Sequence, residues 1–419
     1  MDSKDPAGTG SRRAALRLLD AVLRKGLPLE AALDTATRDL DRSDDKAFAH
    51  AIAAETLRRL VDLDALIDGA TAKRLPDDAK ARFALRIALV QALAMQTPHH
   101  AAISTVLPLV DGGPRRLVHG VFSAVMRREP TLPEVPTLPP AVAERWEAAW
   151  GSAVARAAAQ ALAVPPPIDL VLAGNQPPAG LDGVSLMPRH LRLARGEAVA
   201  GLTGYGSGDW WVQDISASIP ARLFGPGAGR SVLDLCAAPG GKTMQLAVAG
   251  FRVIAIDASA SRLARLRENL ERTGLAAEIR TADVMKWSPP GKVDAILLDA
   301  PCSATGIFRR HPDVLHRVRP RAIRELAEGQ RAMLARAAGW LEPGGTLVYS
   351  VCSLEPEEGE QVASAFLASR RDFALDPVRP DELPAGMRPN DGIVRILPGI
   401  FADQGGADGF FIARFTRIS

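Results

Sequence analysis

Three cysteines occur in this chain of 419 residues, and two of them sit in short motifs that make chemical sense as a reacting pair. Cys302 follows a proline in Asp299-Ala300-Pro301-Cys302-Ser303-Ala304-Thr305-Gly306, and Cys352 stands in Tyr349-Ser350-Val351-Cys352-Ser353-Leu354. Cys236 opens Cys236-Ala237-Ala238-Pro239-Gly240-Gly241-Lys242-Thr243, a glycine turn of the kind that lets a nucleotide-like cofactor approach the backbone. A free thiol of pKa ~8.5 is only slightly ionised at neutral pH, so a site that uses sulfur as nucleophile must favour the thiolate or take its proton.

The cofactor class follows from what surrounds the turn. Ser231 to Leu235 is a short apolar strand running into it, and the next strand, Val253 to Ile256, ends at Asp257. An acid at that place accepts hydrogen bonds from both hydroxyls of a ribose. Asp283, after a third strand, is placed to bond an adenine amino group. A phosphate-binding loop would need a glycine where Cys236 stands, and the Gly-x-Gly-x-x-Gly of nicotinamide sites is absent. S-adenosylmethionine, an adenosine without phosphates, fits best. Cys236 reads as a small buried hydrophobe beside the cofactor rather than as a catalyst.

A methyl donor beside two thiols points to methylation of carbon 5 of a pyrimidine. That carbon is a poor nucleophile until sulfur adds at carbon 6, after which it can attack an activated methyl group. The carbon 5 proton must then leave so that the sulfur is eliminated, a step a second cysteine can assist. Enzymes that methylate exocyclic amines carry an aromatic after the fourth strand, where this chain has Asp299-Ala300-Pro301-Cys302. Asp299 can bond the N3 and amino edge of the pyrimidine, or lie near the methionine end of the cofactor. Zinc ligation by Cys302, Cys352, His311 and His316 is disfavoured by the absence of Cys-x-x-Cys spacing, and no metal is expected. His99 and His100, after Pro98 at a helix start, read as surface.

Around these residues the chain divides by rhythm. Residues 11 to about 128 repeat apolar side chains at helical spacing, as in Leu16, Leu19 and Leu23 or Leu85, Leu89 and Leu93. Pro130, Pro133, Pro136, Pro139 and Pro140 read as a stiff linker, followed by one alanine-rich helix from 141 to about 164 and a small module of strands and turns to about 205. From 206 onward strands and helices alternate, with a long helix over Arg321 to Leu341, a strand over Thr346 to Tyr349, and strands over Ile393 to Leu397 and Phe410 to Phe415. Alternation implies an α/β fold with a parallel, doubly wound sheet and ligands at the carboxyl ends of its strands. The expected domains are 1–130, 131–205 and 206–419.

Composition adds limits. Net charge is only +3, but eight arginines and two histidines fall between Arg309 and Arg336 against three acids, a local patch that a polyanion would meet. No apolar run reaches the ~18 residues of a membrane span. Met1 to Pro6 lacks the layout of a secretion signal, and so few cysteines fit a reducing cytoplasm.

The motifs together resemble the NOL1/NOP2/Sun family of RNA cytosine-5 methyltransferases. The likeness runs through Asp234 to Thr243, Asp299 to Gly306, Arg309 to Asp313, Tyr349 to Glu355, Asp408 to Ala413, and Trp211 to Ser218, which introduces the catalytic domain. It implies a Rossmann-like class I methyltransferase domain in which Cys352 attacks carbon 6 and Cys302 aids release, two roles the residues alone leave unordered. It also implies that Cys236, Ala237, Ala238, Pro239, Gly240, Gly241, Lys242, Asp257, Asp283 and Asp299 contact S-adenosylmethionine. Arg12 to Leu16, Asp45 to Ala49 and Val118 to Phe122 resemble the all-helical, NusB-like RNA-binding domain that precedes the catalytic domain in bacterial members acting on small-subunit (16S) ribosomal RNA. Val351 stands where Thr is usual before the nucleophile, and His119 where Asn is usual. The partner expected is 16S ribosomal RNA, with transfer RNA as the alternative substrate, and the chain is expected to be monomeric. A non-catalytic RNA-binding ribosome-assembly factor is the rival from another class; it would have been favoured by loss of either thiol or of Asp299.

Overall fold

The computed structural model describes residues 5–194 and 199–419. Residues 1–4, part of the amino-terminal reading, and 195–198, within the expected connecting module, lie outside the described residues. The chain divides into two compact units. The first is the chain through Pro165 together with Phe308–Val318, and the second comprises Pro166–Ile307 and Arg319–Ser419. This partition differs from the three segments expected, because the helices after the proline run pack with the first unit and the short strands that follow pack with the second.

The first unit is helical: α1 (Thr9–Leu23), α2 (Leu29–Thr37), α3 (Ser43–Arg58), α4 (Leu60–Asp68), α5 (Lys80–Leu93), α6 (His99–Val106), α7 (Gly112–Met126), α8 (Pro140–Trp150) and α9 (Ser152–Ala163). The single helix expected over 141–164 is two, because Gly151 takes a φ of 85° between α8 and α9. Helix α5 is buried from Ala81 to Gln91, apolar on nearly every side, as a central helix must be. Two arginines interrupt that apolar surface. The Arg86 guanidinium spans both oxygens of Asp64 at 2.7 and 2.8 Å, and Arg82 spans Asp68 at 2.7 and 3.0 Å. Buried cations persist only when paired in this way. Residues 308–318, which include α13 (Val314–Arg317), complete the same unit. Phe308 stacks at 5.3 Å on Trp146, the Arg309 carbonyl accepts from Arg58, the Asp313 carboxylate accepts from the first N–H of α2 at 3.4 Å, and His316 bonds the Leu57 carbonyl at 2.7 Å.

The second unit opens with β1 (Ile168–Leu172), β2 (His190–Leu193) and β3 (Trp210–Val212), a small antiparallel sheet in the order β2-β1-β3. It continues through α10 (Ile215–Arg222), β4 (Ser231–Leu235), α11 (Gly241–Val248), β5 (Arg252–Asp257), α12 (Ala260–Thr273), β6 (Glu278–Thr281) and β7 (Val293–Asp299). Then come α14 (Pro320–Ala338), β8 (Leu341–Val351), α15 (Glu360–Ser369), β9 (Phe373–Leu375), β10 (Val394–Ile396) and β11 (Phe410–Arg417). The main sheet runs β10-β11-β8-β7-β4-β5-β6, with β9 on β11. Strands β4 to β8 pair in parallel, and β9, β10 and β11 join antiparallel, so the sheet is mixed rather than purely parallel. Strands β4, β7 and β8 read as apolar runs because helices cover both faces. The long helix ends at Ala338, and Leu341, expected as its last residue, begins β8 instead.

The arginine-rich stretch is divided between the two units, with Arg319, Arg321, Arg324 and Arg331 exposed. Arg309 is buried, Arg317 is paired with Asp313 at 2.8 Å, and Arg336 is tied to the carbonyls of Val284 and Trp287. Its first part belongs to the helical unit and the remainder lies on α14 in the other.

Removing the carboxylate of Asp64 strands Arg86 and one bond of Arg82 in the core. Asp64→Ala is therefore expected to destabilise the helical unit by about 3–5 kcal/mol in denaturant unfolding followed by circular dichroism, a partly exposed site giving the lower end of that range.

Candidate active site

Parallel pairing fixes the height of each functional side chain. Leu235 pairs with Ile256 and with Leu298, and Asp299 lies opposite Ser350, so the glycine turn, Asp257, Asp299 and the Cys352 segment all emerge at the carboxyl edge of the sheet. The turn itself needs unusual backbone. Gly240 has a φ of 106°, and Cys236 one of 63°, a left-handed conformation uncommon for a residue with a side chain. A Cβ on Gly240 would press into Leu266 of α12 as well.

A cavity of about 400 Å³ opens beside this turn. Asp234, Cys236, Ala237, Ala238, Pro239, Gly241, Lys242 and Asp299 line one part of it. Trp211, Gln213, Met244, Asn269 and Arg272 line another, and of these only Trp211 and Gln213 fall in a motif noted from sequence. Gly240, Asp257, Asp283, Cys302 and Cys352 are outside that lining. Asp257 is buried and spends its carboxylate on the turn, accepting from the N–H of Ala238 at 3.2 Å and of Ser259 at 2.9 Å. Asp283 is half exposed and accepts from the Met285 N–H at 2.9 Å.

Asp234 is fully buried. Its Oδ2 accepts from the Thr243 hydroxyl at 2.5 Å, while its Oδ1 has no partner. Burial pushes this carboxyl up to about 7, against the opposing bond from Thr243 and the charge of Lys242. Asp299 is the better-supplied acid, with Lys242 Nζ at 2.7 Å on Oδ2 and the Ser350 hydroxyl at 2.8 Å on Oδ1. The same ammonium lies 5.3 Å over the Phe410 ring. Burial raises Cys236 to about 12, leaving it a neutral thiol.

The sulfurs of Cys302 and Cys352 are 3.4 Å apart. Their loops meet because the Gly306 N–H donates to the Cys352 carbonyl at 3.0 Å and the Gly409 N–H to the Gly306 carbonyl at 2.8 Å. A Cβ on Gly306 would collide with the Gly409 backbone, so this approach requires glycine. The Cys302 thiol is raised by its bond to Cys352 and then by burial, so it stays protonated at neutral pH. Sequence reasoning missed the polar groups behind the pair: Ser303, Ser353, Gln330 and Glu358 form one buried network, which no local spacing announces. Val351 is buried, and the histidines at 99 and 100 are exposed on the first turn of α6. His316 is lowered to about 4 by burial and serves the Leu57 carbonyl. Among the described residues no group of three or more His, Cys, Asp or Glu could hold a metal ion, and no helix is long and apolar enough to cross a membrane.

Because the folded-state value for Asp234 lies above that of an unfolded aspartate, the native protein retains a proton that the unfolded chain has lost between about pH 4 and 7. Its contribution to stability is present below that window and is lost as pH rises through it. Unfolding measured at stepped pH should show a shallower decline for Asp234→Asn than for the wild type across that range.

A family model for 16S rRNA methyltransferase RsmB/F matches residues 221–416, and one for the NusB family matches residues 9–128. Ribosomal RNA small subunit methyltransferase B of Klebsiella pneumoniae is 33% identical over 97% of this chain and 98% of its own length. The crystal structure of PH0851 superposes with a TM-score of 0.75 over 98% of this chain and 99% of that one, at 21% identity, a likeness of fold. A methyltransferase homolog from Pyrococcus horikoshii superposes at 0.56, 26% identical, over 66% of this chain and 94% of its own. A NusB-type helical region followed by a Rossmann-like methyltransferase unit, matched along nearly its whole length at this identity, makes the chain a member of the ribosomal RNA small subunit methyltransferase B family.

Proposed function

We propose that this protein transfers a methyl group from S-adenosylmethionine to carbon 5 of a cytosine in small-subunit ribosomal RNA, through a transient bond between cysteine sulfur and the base. The observation that carries this reading is the pair of sulfurs 3.4 Å apart, on loops that follow adjacent strand ends, next to an Asp299–Lys242 ion pair.

The residues fit the cofactor. Bound, it supplies a methyl group on a positively charged sulfur. The unpartnered Asp234 Oδ1 is an acceptor suited to the ammonium of its methionine part, and the backbone of Cys236 to Gly241 offers close approach. Asp257 and Asp283 are the acids for ribose and adenine, Asp257 by way of the carboxylate that now braces the turn. Lys242 and Asp299 line the same cavity, Asp299 pairs in register with Ser350, two residues before Cys352, and its carboxylate can accept from the amino edge of the base.

In the reaction the Cys352 thiol gives its proton to solvent and its sulfur adds to carbon 6; the displaced electron pair moves toward N3, which takes a proton from solvent and donates it in a hydrogen bond to the Asp299 carboxylate. Carbon 5 then bears both hydrogen and methyl. Cys302, protonated at rest, first gives its proton to solvent; as the thiolate it then takes the carbon 5 proton, the C–H electron pair re-forms the carbon 5–carbon 6 double bond, and the Cys352 sulfur leaves as thiolate while N3 returns its proton to solvent.

RNA contact is supported by α7. Its exposed face carries Arg115, Arg116 and His119, with Arg127 just past its end, and the helix contains no acidic residue. Arg13, Arg17, Arg24, Arg42 and Arg74 elsewhere in this unit are all ion-paired, whereas among the described residues no carboxylate pairs with Arg115, Arg116 or Arg127. Unneutralised cations on one face suit a phosphate backbone.

Purified protein is to be incubated with labelled methyl donor and unmodified 16S ribosomal RNA or transfer RNA in parallel. Label is expected at cytosine carbon 5 of the ribosomal substrate; none in either RNA sinks the proposal. Cys352→Ala should abolish incorporation, whereas Cys302→Ala should slow turnover and accumulate a protein–RNA adduct that survives denaturant; an adduct with the Cys352 variant instead reverses the two roles. The double change Arg115→Glu, Arg116→Glu should weaken RNA binding about tenfold or more and flatten its salt dependence, as read by filter binding at several salt concentrations.

A further inference from the structure

Behind the two thiols lies a carboxylate that no sequence motif singles out. Glu358 is fully buried, and both its oxygens are engaged. Oε1 accepts from the Ser303 N–H at 2.8 Å and from the Gln330 amide at 3.0 Å, and Oε2 accepts from the Ser353 hydroxyl at 2.6 Å and from the Ser303 hydroxyl. Ser303 directly follows Cys302, and Ser353 directly follows Cys352. One side chain is thus bonded to both loops, one residue past each sulfur.

The surroundings hold that side chain still. Gln330 also donates to the Pro301 carbonyl at 2.9 Å, and the Tyr349 hydroxyl lies 2.5 Å from the Glu358 carbonyl. The following residue must be glycine, because a Cβ on Gly359 would run into the Arg395 guanidinium and the Phe411 ring. A buried carboxylate is an expensive way to gain stability, since an apolar side chain of similar volume serves as well or better. What a carboxylate offers here is two oxygens able to accept four bonds at once from two separate loops.

We propose that Glu358 is a positioning residue, which sets the spacing of Cys302 and Cys352 by bridging the loops that carry them. Its importance to methyl transfer rests on the function proposed above; the bridging does not, and can be measured separately. Burial raises the carboxyl above its ordinary value against the opposing bonds; glutamine keeps one acceptor oxygen, and its amide can donate to the Ser303 or Ser353 hydroxyl, so it is the conservative replacement.

The full-length protein is to be treated with diamide, whose N=N bond takes up two electrons and two protons as the two thiols join in a disulfide. The Cys302–Cys352 bond is quantified by alkylation and peptide mass mapping, far below the unfolding midpoint. A disulfide demands specific geometry, so Glu358→Ala should slow its formation about tenfold, with Glu358→Gln within about threefold of wild type. Single-turnover methyl transfer should fall about a hundredfold in the alanine variant, with the KM for RNA changed about twofold or less, as for reacting groups displaced by an ångström. A folded alanine variant that closes its disulfide at the wild-type rate overturns the proposal. Should that variant not fold, Ser353→Ala removes the bridge on the Cys352 side alone, and an unchanged rate there overturns it equally. Wild-type protein without methyl transfer would count against the functional reading, yet the disulfide rates would still decide whether Glu358 positions the thiols.

Discussion

Strands β7 and β8 lie side by side in one parallel register, and from that pairing the geometry of the site follows. Asp299 falls opposite Ser350, the ladder continues with the Ala300 N–H on the Ser350 carbonyl, and each chain turns off within a few residues into a loop bearing a thiol. A slip of one residue would turn Asp299 and Ser350 to the opposite face and separate the sulfurs. Burial on both faces of the sheet makes that slip costly. The two glycines where the loops meet the start of β11 do the remaining work, since backbone can approach backbone that closely only without side chains.

Charge is arranged with similar economy. Asp234, Asp257 and Asp299 converge around the glycine turn, and Lys242 is the cation that lines the cavity on that side. Each acid has a different local state. Asp299 is compensated by lysine and serine, Asp257 by backbone N–H groups, and Asp234 by one hydroxyl only. Acids so placed suit the cofactor proposed above, S-adenosylmethionine, which carries two positive centres, an ammonium and a sulfonium. The thiol pair, more than a strand's width away in sequence, depends on hydrogen bonds from neutral groups and on Glu358 in place of any lysine.

What could be read from the sequence was what is local. Apolar strand runs ending in Asp257 and Asp299, the glycine turn and the periodic helices before residue 128 all follow from spacing and composition, and they were enough for a Rossmann-like unit behind a helical one. The direction of β9, β10 and β11 was not legible, because a strand's sequence does not state the orientation of its partner. Gly151 did carry a signal for the break between α8 and α9, but the surrounding alanines mask it. Counting arginines between 309 and 336 overstates the exposed charge for a physical reason: charge totals are blind to burial, and Arg309, Arg317 and Arg336 are engaged by the protein, whereas Arg319, Arg321, Arg324 and Arg331 are exposed. Glu358 escaped notice because its partners lie at residues 303, 330 and 353, and only folding gathers them.

The contribution of Phe308–Val318 to the helical unit bears on how the polypeptide acquires its structure during synthesis. Trp146 lacks its aromatic neighbour, the first N–H of α2 its acceptor and the Leu57 carbonyl its histidine until the ribosome has added everything between Pro165 and Phe308. At ordinary elongation speeds that interval lasts on the order of ten seconds. The nascent amino-terminal bundle therefore gains these contacts only from a segment translated after the glycine turn and the first thiol loop.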